Sequence, residues 1–251
     1  MSFIQNFKYW NYLAINEIKQ KYRRSILGTL WLSLSTAITI LGIGPLYSVL
    51  FKTDISKYFI IVSIGLISWG FISGVIGESC STFIANSGMI KDTSLPIETY
   101  VQVVVWRNVL LYFQNIIILY LIFNIFGFTI YPNYSFLFAC IVVTLYLSNI
   151  AMVLAIICLR FRDLAQIVDS AMKLLFFISP ILWVVNDTKL ENSKIIIFNP
   201  FFYIIELLRN SFINNIININ HILIILIQIF IIFILKKFLH TKYKNKIVYW
   251  L

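Results

Sequence analysis

Charge is scarce in this chain. Only 12% of its 251 residues are charged and 60% are hydrophobic, whereas soluble domains carry about 25% charged residues. Acid is scarcer still, with 10 Asp+Glu against 20 Lys+Arg. A water-soluble protein this apolar would expose large oily patches. Reactive motifs are missing as well: there is no GxxxxGK followed by Ser or Thr, no HExxH, no GxSxG and no CxxC. Nothing in the chain therefore points to nucleotide hydrolysis, zinc chemistry or an activated serine. No catalytic residue, metal ligand or cofactor is expected within it. Cysteine is limited to Cys80, Cys140 and Cys158, an odd number in or at the ends of apolar stretches, which implies no disulfide framework. His221 and His240 have no carboxylate near them in sequence and read as interfacial residues. The first 25 residues lack a short apolar block followed by a small-residue cleavage site, so no signal peptide is expected.

What the chain does have is long apolar runs, and a mean hydropathy of +0.89. Crossing a bilayer as a helix takes about 20 mostly apolar residues. Six stretches qualify: 28–51, 58–77, 103–126, 135–158, 166–185 and 219–235. The net charge of +10 invites a nucleic-acid reading, but the cations gather at the edges of the apolar runs. With both termini inside, fourteen of the 20 Lys and Arg residues fall on the cytoplasmic side and five outside. This is the asymmetry that orients membrane proteins. The expectation is an all-α integral membrane protein with six transmembrane helices, both termini cytoplasmic and no nucleic-acid partner.

Four segments are not simple spans. In residues 1–25, Phe3, Ile4, Phe7, Trp10, Ala14, Ile15, Ile18 and Tyr22 fall on one helical arc, interrupted by Asn11 and Lys21. Such a helix rests in the headgroup layer or packs on a partner. The stretch KYRR at 21–24 then marks a corner, with Gly28 allowing a bend or close packing as the first span begins. Residues 78–100 are too long for a tight turn. They read as a cytoplasmic loop with a short helix starting near Ser81–Ala85, either a surface that a partner pushes or a passive loop. Residues 186–218 turn apolar after NDTKLENSK and are broken by Asn199-Pro200. A re-entrant pair of outer half-helices fits, since irregular backbone at membrane depth must be buried in protein; an amphipathic helix on the outer surface is the alternative. Residues 236–251 form a basic cytoplasmic tail.

Two chemical features remain. Asp169 and Lys173 are spaced to pair along one face of the fifth span, as a structural or gate-adjacent ion pair rather than a proton-coupling site. Aromatic residues make up 17% of the chain and concentrate at Phe176, Phe177, Trp183, Phe198, Phe201, Phe202 and Tyr203. Interfacial belts do not require that concentration. Flat rings suit the C–H faces of sugars, with Tyr or Trp handling hydroxyls.

In order along the chain stand the amphipathic helix, KYRRSILGTLW, NSGMIKDTSLPIE, RFRDLAQIV, SPILW and NPFFYIIELLRN. This series resembles the membrane (permease) subunit of ABC-2 type polysaccharide exporters, which serve O-antigen, capsule and teichoic acid export, and it covers essentially the whole chain. The resemblance implies a bacterial inner-membrane protein. Two copies would pair with two nucleotide-binding ABC subunits, which bind the ATP and Mg, and a lipid-linked polysaccharide would pass between the copies. It maps the coupling element onto residues 81–91, with Asn86, Met89, Ile90 and Lys91. It maps the substrate path onto the first and fifth spans, at Trp31, Tyr47, Phe51, Phe177 and Trp183; Phe201, Phe202 and Tyr203 join from the outer segment. Members often carry a proline soon after the leucine-tryptophan of the first span, where this chain has Ser33, Ser35 and Thr36.

Two other classes are weaker. An ion-coupled small-solute carrier would be expected to show internal repeats or midplane charges, and a membrane-embedded glycolipid enzyme would need a reactive cluster. The topology has its own test, in cysteine labelling of intact cells. Ser87→Cys and Lys242→Cys are expected to resist a membrane-impermeant reagent, and labelling of either from the outer face overturns the arrangement.

Overall fold

The computed structural model describes residues 3–51, 55–93, 95–125, 127, 132–183 and 199–251, with the backbone alone for 3–6, 44–51, 55–57 and 245. Its helices are α1 (Phe3–Lys21), α2 (Leu30–Phe51), α3 (Ile55–Ala85), α4 (Ser87–Asp92), α5 (Glu98–Ile125), α6 (Tyr134–Arg160), α7 (Leu164–Ile178), α8 (Phe202–Ile213), α9 (Ile219–Tyr243) and α10 (Ile247–Trp250). No strand occurs among the described residues.

Helices α3 and α6 form the centre. Ile64, Ile72 and Val75 of α3 meet Val143, Leu147 and Ala151 of α6 in a dry core, with α5, α8 and α2 packed around them. Four helices are long and apolar enough to cross a membrane among the described residues: α3, α5, α6 and α9. Helix α9 makes the solvent explicit, because within it only Ile225 is buried although residues 222–235 are apolar but for Gln228. A face like that needs hydrocarbon or another apolar chain around it. The protein is membrane-embedded.

Local signals set several ends. The Asn133 side chain accepts the Tyr134 N–H at the start of α6, and the Asn218 side chain accepts the Asn220 N–H at the start of α9, satisfying donors left open by the first turn. Gly28 stands at φ +57° with open space around it, so it bends the chain between α1 and α2 rather than admitting a neighbour. Where a first-span proline was missing, α2 continues. Ser33 is buried and donates to Asn115 of α5, while Thr36 and Thr39 return their hydroxyls to the carbonyls of Leu32 and Ser35.

Several expected boundaries shift. The helix that carries the second expected span, 58–77, runs past 77. Helix α3 has 31 residues, about 46 Å of rise, against a hydrocarbon core of about 30 Å. It carries Ser81–Ala85 as its own last turns, so the short helix of the loop begins only at Ser87. The fifth span, expected over 166–185, is not one helix: α7 ends at Ile178 after 15 residues, about 22 Å. The cause is Ser179-Pro180, since proline offers no N–H and pushes the residue before it out of helical geometry; Ser179 sits at ψ 149°. Of the expected outer segment, 186–218, residues 186–198 lie outside the described residues. Its second half is α8, buried along most of its length against α6, α3 and α9. The tail is not free. Helix α9 runs on to Tyr243, and Ile247 of α10 is buried. The Arg160 guanidinium lies over the rings of Phe161, Tyr243 and Trp250, at 5.3, 5.6 and 5.1 Å.

The break after α7 strands carbonyls inside the protein, and one arginine meets most of them. Arg209, 3% exposed, pairs with Glu206 at 2.7 Å through Nη1. Its two Nη groups also donate to the carbonyls of Pro180, Ile181 and Trp183. Tyr58 donates its hydroxyl to the Leu182 carbonyl, and Asn210 holds the second Glu206 oxygen at 3.0 Å. A methyl group at Gly65 would collide with the Ile181 carbonyl, so glycine is what lets α3 approach the turn. Replacing Arg209 by Met leaves Glu206 without its charge partner and the carbonyls of Pro180, Ile181 and Trp183 without this donor, which costs about 3–5 kcal/mol for a broken buried pair. A large fall in the thermal midpoint of the detergent-solubilised protein is expected, with Arg209→Lys falling less because it keeps charge without the planar fork. An unchanged midpoint for Arg209→Met would show that the clamp is idle.

Candidate functional site

Helix α7 presents an unusual face. Asp169, Lys173 and Phe177 follow one another at four-residue spacing and point away from the core; Met172 alone on this helix is buried. Lys173 donates to Asp169 at 2.7 Å, yet the side chains stay 72% and 65% exposed. Phe177 is 70% exposed. The remaining polar positions on this helix are Gln166 and Ser170. Beneath the ion pair a hollow of about 290 Å³ opens toward Trp69 and Ser73 of α3. The Trp69 ring is held edge-on by Phe176 at 6.0 Å and Phe201 at 5.8 Å. The pair was legible from its spacing, but the hollow was not, because α3 and α7 are about a hundred residues apart in sequence.

The expected path residues divide. Trp31 on α2 and Phe177 on α7 are exposed, while Trp183 and Phe202 are half-buried. The side chains of Tyr47 and Phe51 lie outside the described residues, as does Phe198. Phe201 and Tyr203 require correction, since both are core residues. Asn199 accepts the Phe201 N–H at 3.0 Å and donates to the Ser179 hydroxyl at 2.8 Å. That turn delivers Phe201 onto Trp69, and Tyr203 stacks edge-on against Phe202 at 4.9 Å and His221 at 5.5 Å. Rings committed to the core cannot offer a face to a passing chain.

The coupling residues also divide. Asn86 closes α3 by donating its side chain to the Thr82 carbonyl at 2.9 Å, and its own carbonyl accepts the Ile90 N–H at 2.9 Å. Ile90, expected as a contact for a partner, is 7% exposed and packs into the core. A six-residue helix buries one face to stay folded, and Ile90 is its anchor. Met89, 45% exposed, and Lys91 look outward, beside the exposed Ile84 at the end of α3.

Sequence reading missed the ionic joint next to this helix. Arg107 of α5 donates through Nη1 to Glu17 of α1 and through Nη2 to Glu78 of α3 at 2.7 Å. Asn108 adds a bond to Glu78 at 2.6 Å, and Lys21 stands 3.9 Å from the other Glu78 oxygen. Trp106 donates to Asn11 at 2.9 Å and meets the Phe7 ring at 5.0 Å. The two residues that interrupt the apolar arc of α1, Asn11 and Lys21, are thus its ties to α5 and α3. Burial pushes the Glu17 carboxyl up, an effect that Arg107 opposes and Glu78 reinforces. A carboxyl whose folded pKa is raised favours the fold below its unfolded pKa and loses that contribution as pH rises through the raised value. An arginine inside an apolar run was the signal, but its partners come from two distant helices.

The profile of the ABC-2 type transporter family matches residues 9–213. An O-antigen export system permease protein RfbA of Klebsiella pneumoniae is 26% identical over 237 residues, spanning 92% of this chain and 90% of that protein. A second protein of the same name and organism is 24% identical over 213 residues, 83% of this chain and 82% of its own length. One from Myxococcus xanthus is 24% identical over 185 residues, 72% of this chain and 70% of its own length. With the profile spanning most of a membrane-embedded helical chain, the protein belongs to the ABC-2 type transporter family.

Proposed function

We propose that this chain is the permease subunit of an ATP-driven exporter that moves a lipid-linked polysaccharide across the bacterial inner membrane. It works as a pair of copies joined to two nucleotide-binding subunits, which bind and hydrolyse the ATP with Mg. The observation that carries the reading is the α7 face. An ion pair and an aromatic ring exposed in line on an apolar helix are poorly solvated by hydrocarbon, so they belong beside a second copy or a wet passage. Similarity along most of the chain to permeases named for O-antigen export favours a glycan as the cargo. The cation asymmetry supports six crossings with both termini cytoplasmic. In that orientation α4 stands on the cytoplasmic side, at the end of a helix longer than the hydrocarbon is thick.

The path runs along α2 and α7, with Trp31 and Phe177 as exposed rings and Trp183 at the broken end of α7. Tyr47 and Phe51 extend the α2 side of the proposal, and Phe202 its outer edge. Rings of this kind hold sugars through C–H faces without the tight grip of a charged channel. The first and decisive test is cellular. Loss of this chain is expected to leave completed glycan inside, and the tagged protein is expected to co-purify with a nucleotide-binding subunit. Normal surface glycan without the chain overturns the reading.

The force-receiving surface is Met89 and Lys91, seated on Ile90. Met89→Asp is expected to abolish export at normal abundance. Ile90→Ala, in contrast, removes a packed side chain at about 2–5 kcal/mol and lowers the abundance itself. Unimpaired export by an abundant Met89→Asp protein removes α4 from the coupling contact. For the path, losing one ring forfeits about 0.5–1.5 kcal/mol beyond area burial. Trp31→Ala and Phe177→Ala are expected to impair export modestly alone and severely together. A double variant with wild-type export and no dye leakage would place these rings among the lipids.

A further inference from the structure

The hollow under α7 has a composition that selects its occupant. Its open wall is the Phe177 ring, 70% exposed and packed edge-on against Phe176 at 5.2 Å, while Trp69 lies beneath in the core. Ser73 donates its hydroxyl to the Trp69 carbonyl at 2.8 Å, which leaves its oxygen free to accept. The rim is Asp169 with Lys173, joined at 2.7 Å through one carboxylate oxygen. Each therefore keeps hydrogen-bonding capacity, an open carboxylate oxygen on one side and ammonium N–H groups on the other. The rim is charged at two points but neutral in sum.

A lipid tail meets the ring well but leaves the ion pair unsolvated. An anionic ligand meets Lys173 and is repelled by Asp169 beside it. A polyol ring satisfies all three elements at once: its C–H face lies on an aromatic wall, its hydroxyls donate to Asp169 and Ser73, and its oxygens accept from Lys173. At about 290 Å³ the space stands at the low end of ligand pockets, which begin at roughly 300 Å³. That size suits one ring rather than an extended segment. We propose that this hollow is a subsite for one uncharged sugar ring of the transported glycan, with Asp169 and Lys173 as its hydroxyl-binding pair. The assignment rests on the exporter reading, and adds to it Ser73, Asp169 and Lys173 as residues that touch the polymer.

The test uses the assembled transporter in inverted membrane vesicles, with Ser73→Cys as a near-isosteric reporter that leaves the ion pair intact. The probe is a small methanethiosulfonate, and the modified peptide is located by mass spectrometry. Labelling is expected to slow severalfold when vesicles from glycan-producing cells are arrested with vanadate, compared with vesicles from cells that make no glycan. Asp169→Asn, at normal abundance, is expected to lower export roughly tenfold, the order set by one hydrogen bond to a charged group. The exchanged pair, Asp169→Lys with Lys173→Asp, is expected not to restore it. Full recovery by the exchanged pair would mean that the ions only stabilise α7, and overturns the proposal. Equal labelling with and without glycan, where the wild-type vesicles export, also overturns it while leaving the exporter standing. Slow labelling in both preparations would assign the hollow to the contact between copies, and overturns it too. Vesicles whose wild-type protein exports no glycan would instead bring down the exporter reading itself.

Discussion

A backbone carbonyl that leaves a helix within a membrane protein has no water to turn to, and must find its donor in the chain. The rest of the structure depends on how this is met at Ser179-Pro180. Proline stops α7 there, and the carbonyls of the next residues are taken up by Arg209 and Tyr58. The guanidinium suits the task because its planar fork reaches several acceptors while staying charged. Glu206 then balances it, and Asn210 steadies Glu206. Because that cluster is internal, α8 is drawn into the core rather than left on the surface. The same turn fixes where α7 ends, and so which way Asp169, Lys173 and Phe177 face.

The second constraint is the treatment of charge. Arg107 and Arg209 are each shared among several partners, and each ties together elements distant in sequence. Arg107 joins α1, α3 and α5, while Arg209 joins α8 to the turn after α7. Asp169 and Lys173 behave differently: among the described residues they pair along their own helix, with no ion pair or hydrogen bond to another element. An ion pair with no structural duty, exposed beside a hollow, is better accounted for by contact with something outside the chain. The same contrast separates the aromatics. Phe201 and Tyr203 pack inward, whereas Trp31 and Phe177 do not.

Movement of α4 has a short route inward. Met89 and Lys91 face outward, Ile90 anchors them to the core, and α4 continues directly from α3. Trp69 and Ser73 lie further along that same helix, under the α7 face. The outward face of α4 and the floor of the hollow beneath α7 are thus joined through a single helix, α3.

Much of the architecture was legible in the amino-acid order. Apolar run lengths located the helices, the scarcity of charge made the environment a bilayer, and four-residue spacing announced the Asp169–Lys173 pair. These are local or compositional properties, carried by a single segment and its period. What the segments do to one another was not legible. Sequence placed Ile90 and Phe201 among functional contacts, and tertiary packing made them anchors. Arg107 and Arg209 counted there only among the 20 cations that set the orientation, and the fold gave them partners from other elements. A side chain's exposure and its hydrogen-bond partners depend on which distant helix lies against it. That pairing is set by mutual packing and by the need to satisfy every buried polar group, neither of which any single stretch of the chain contains.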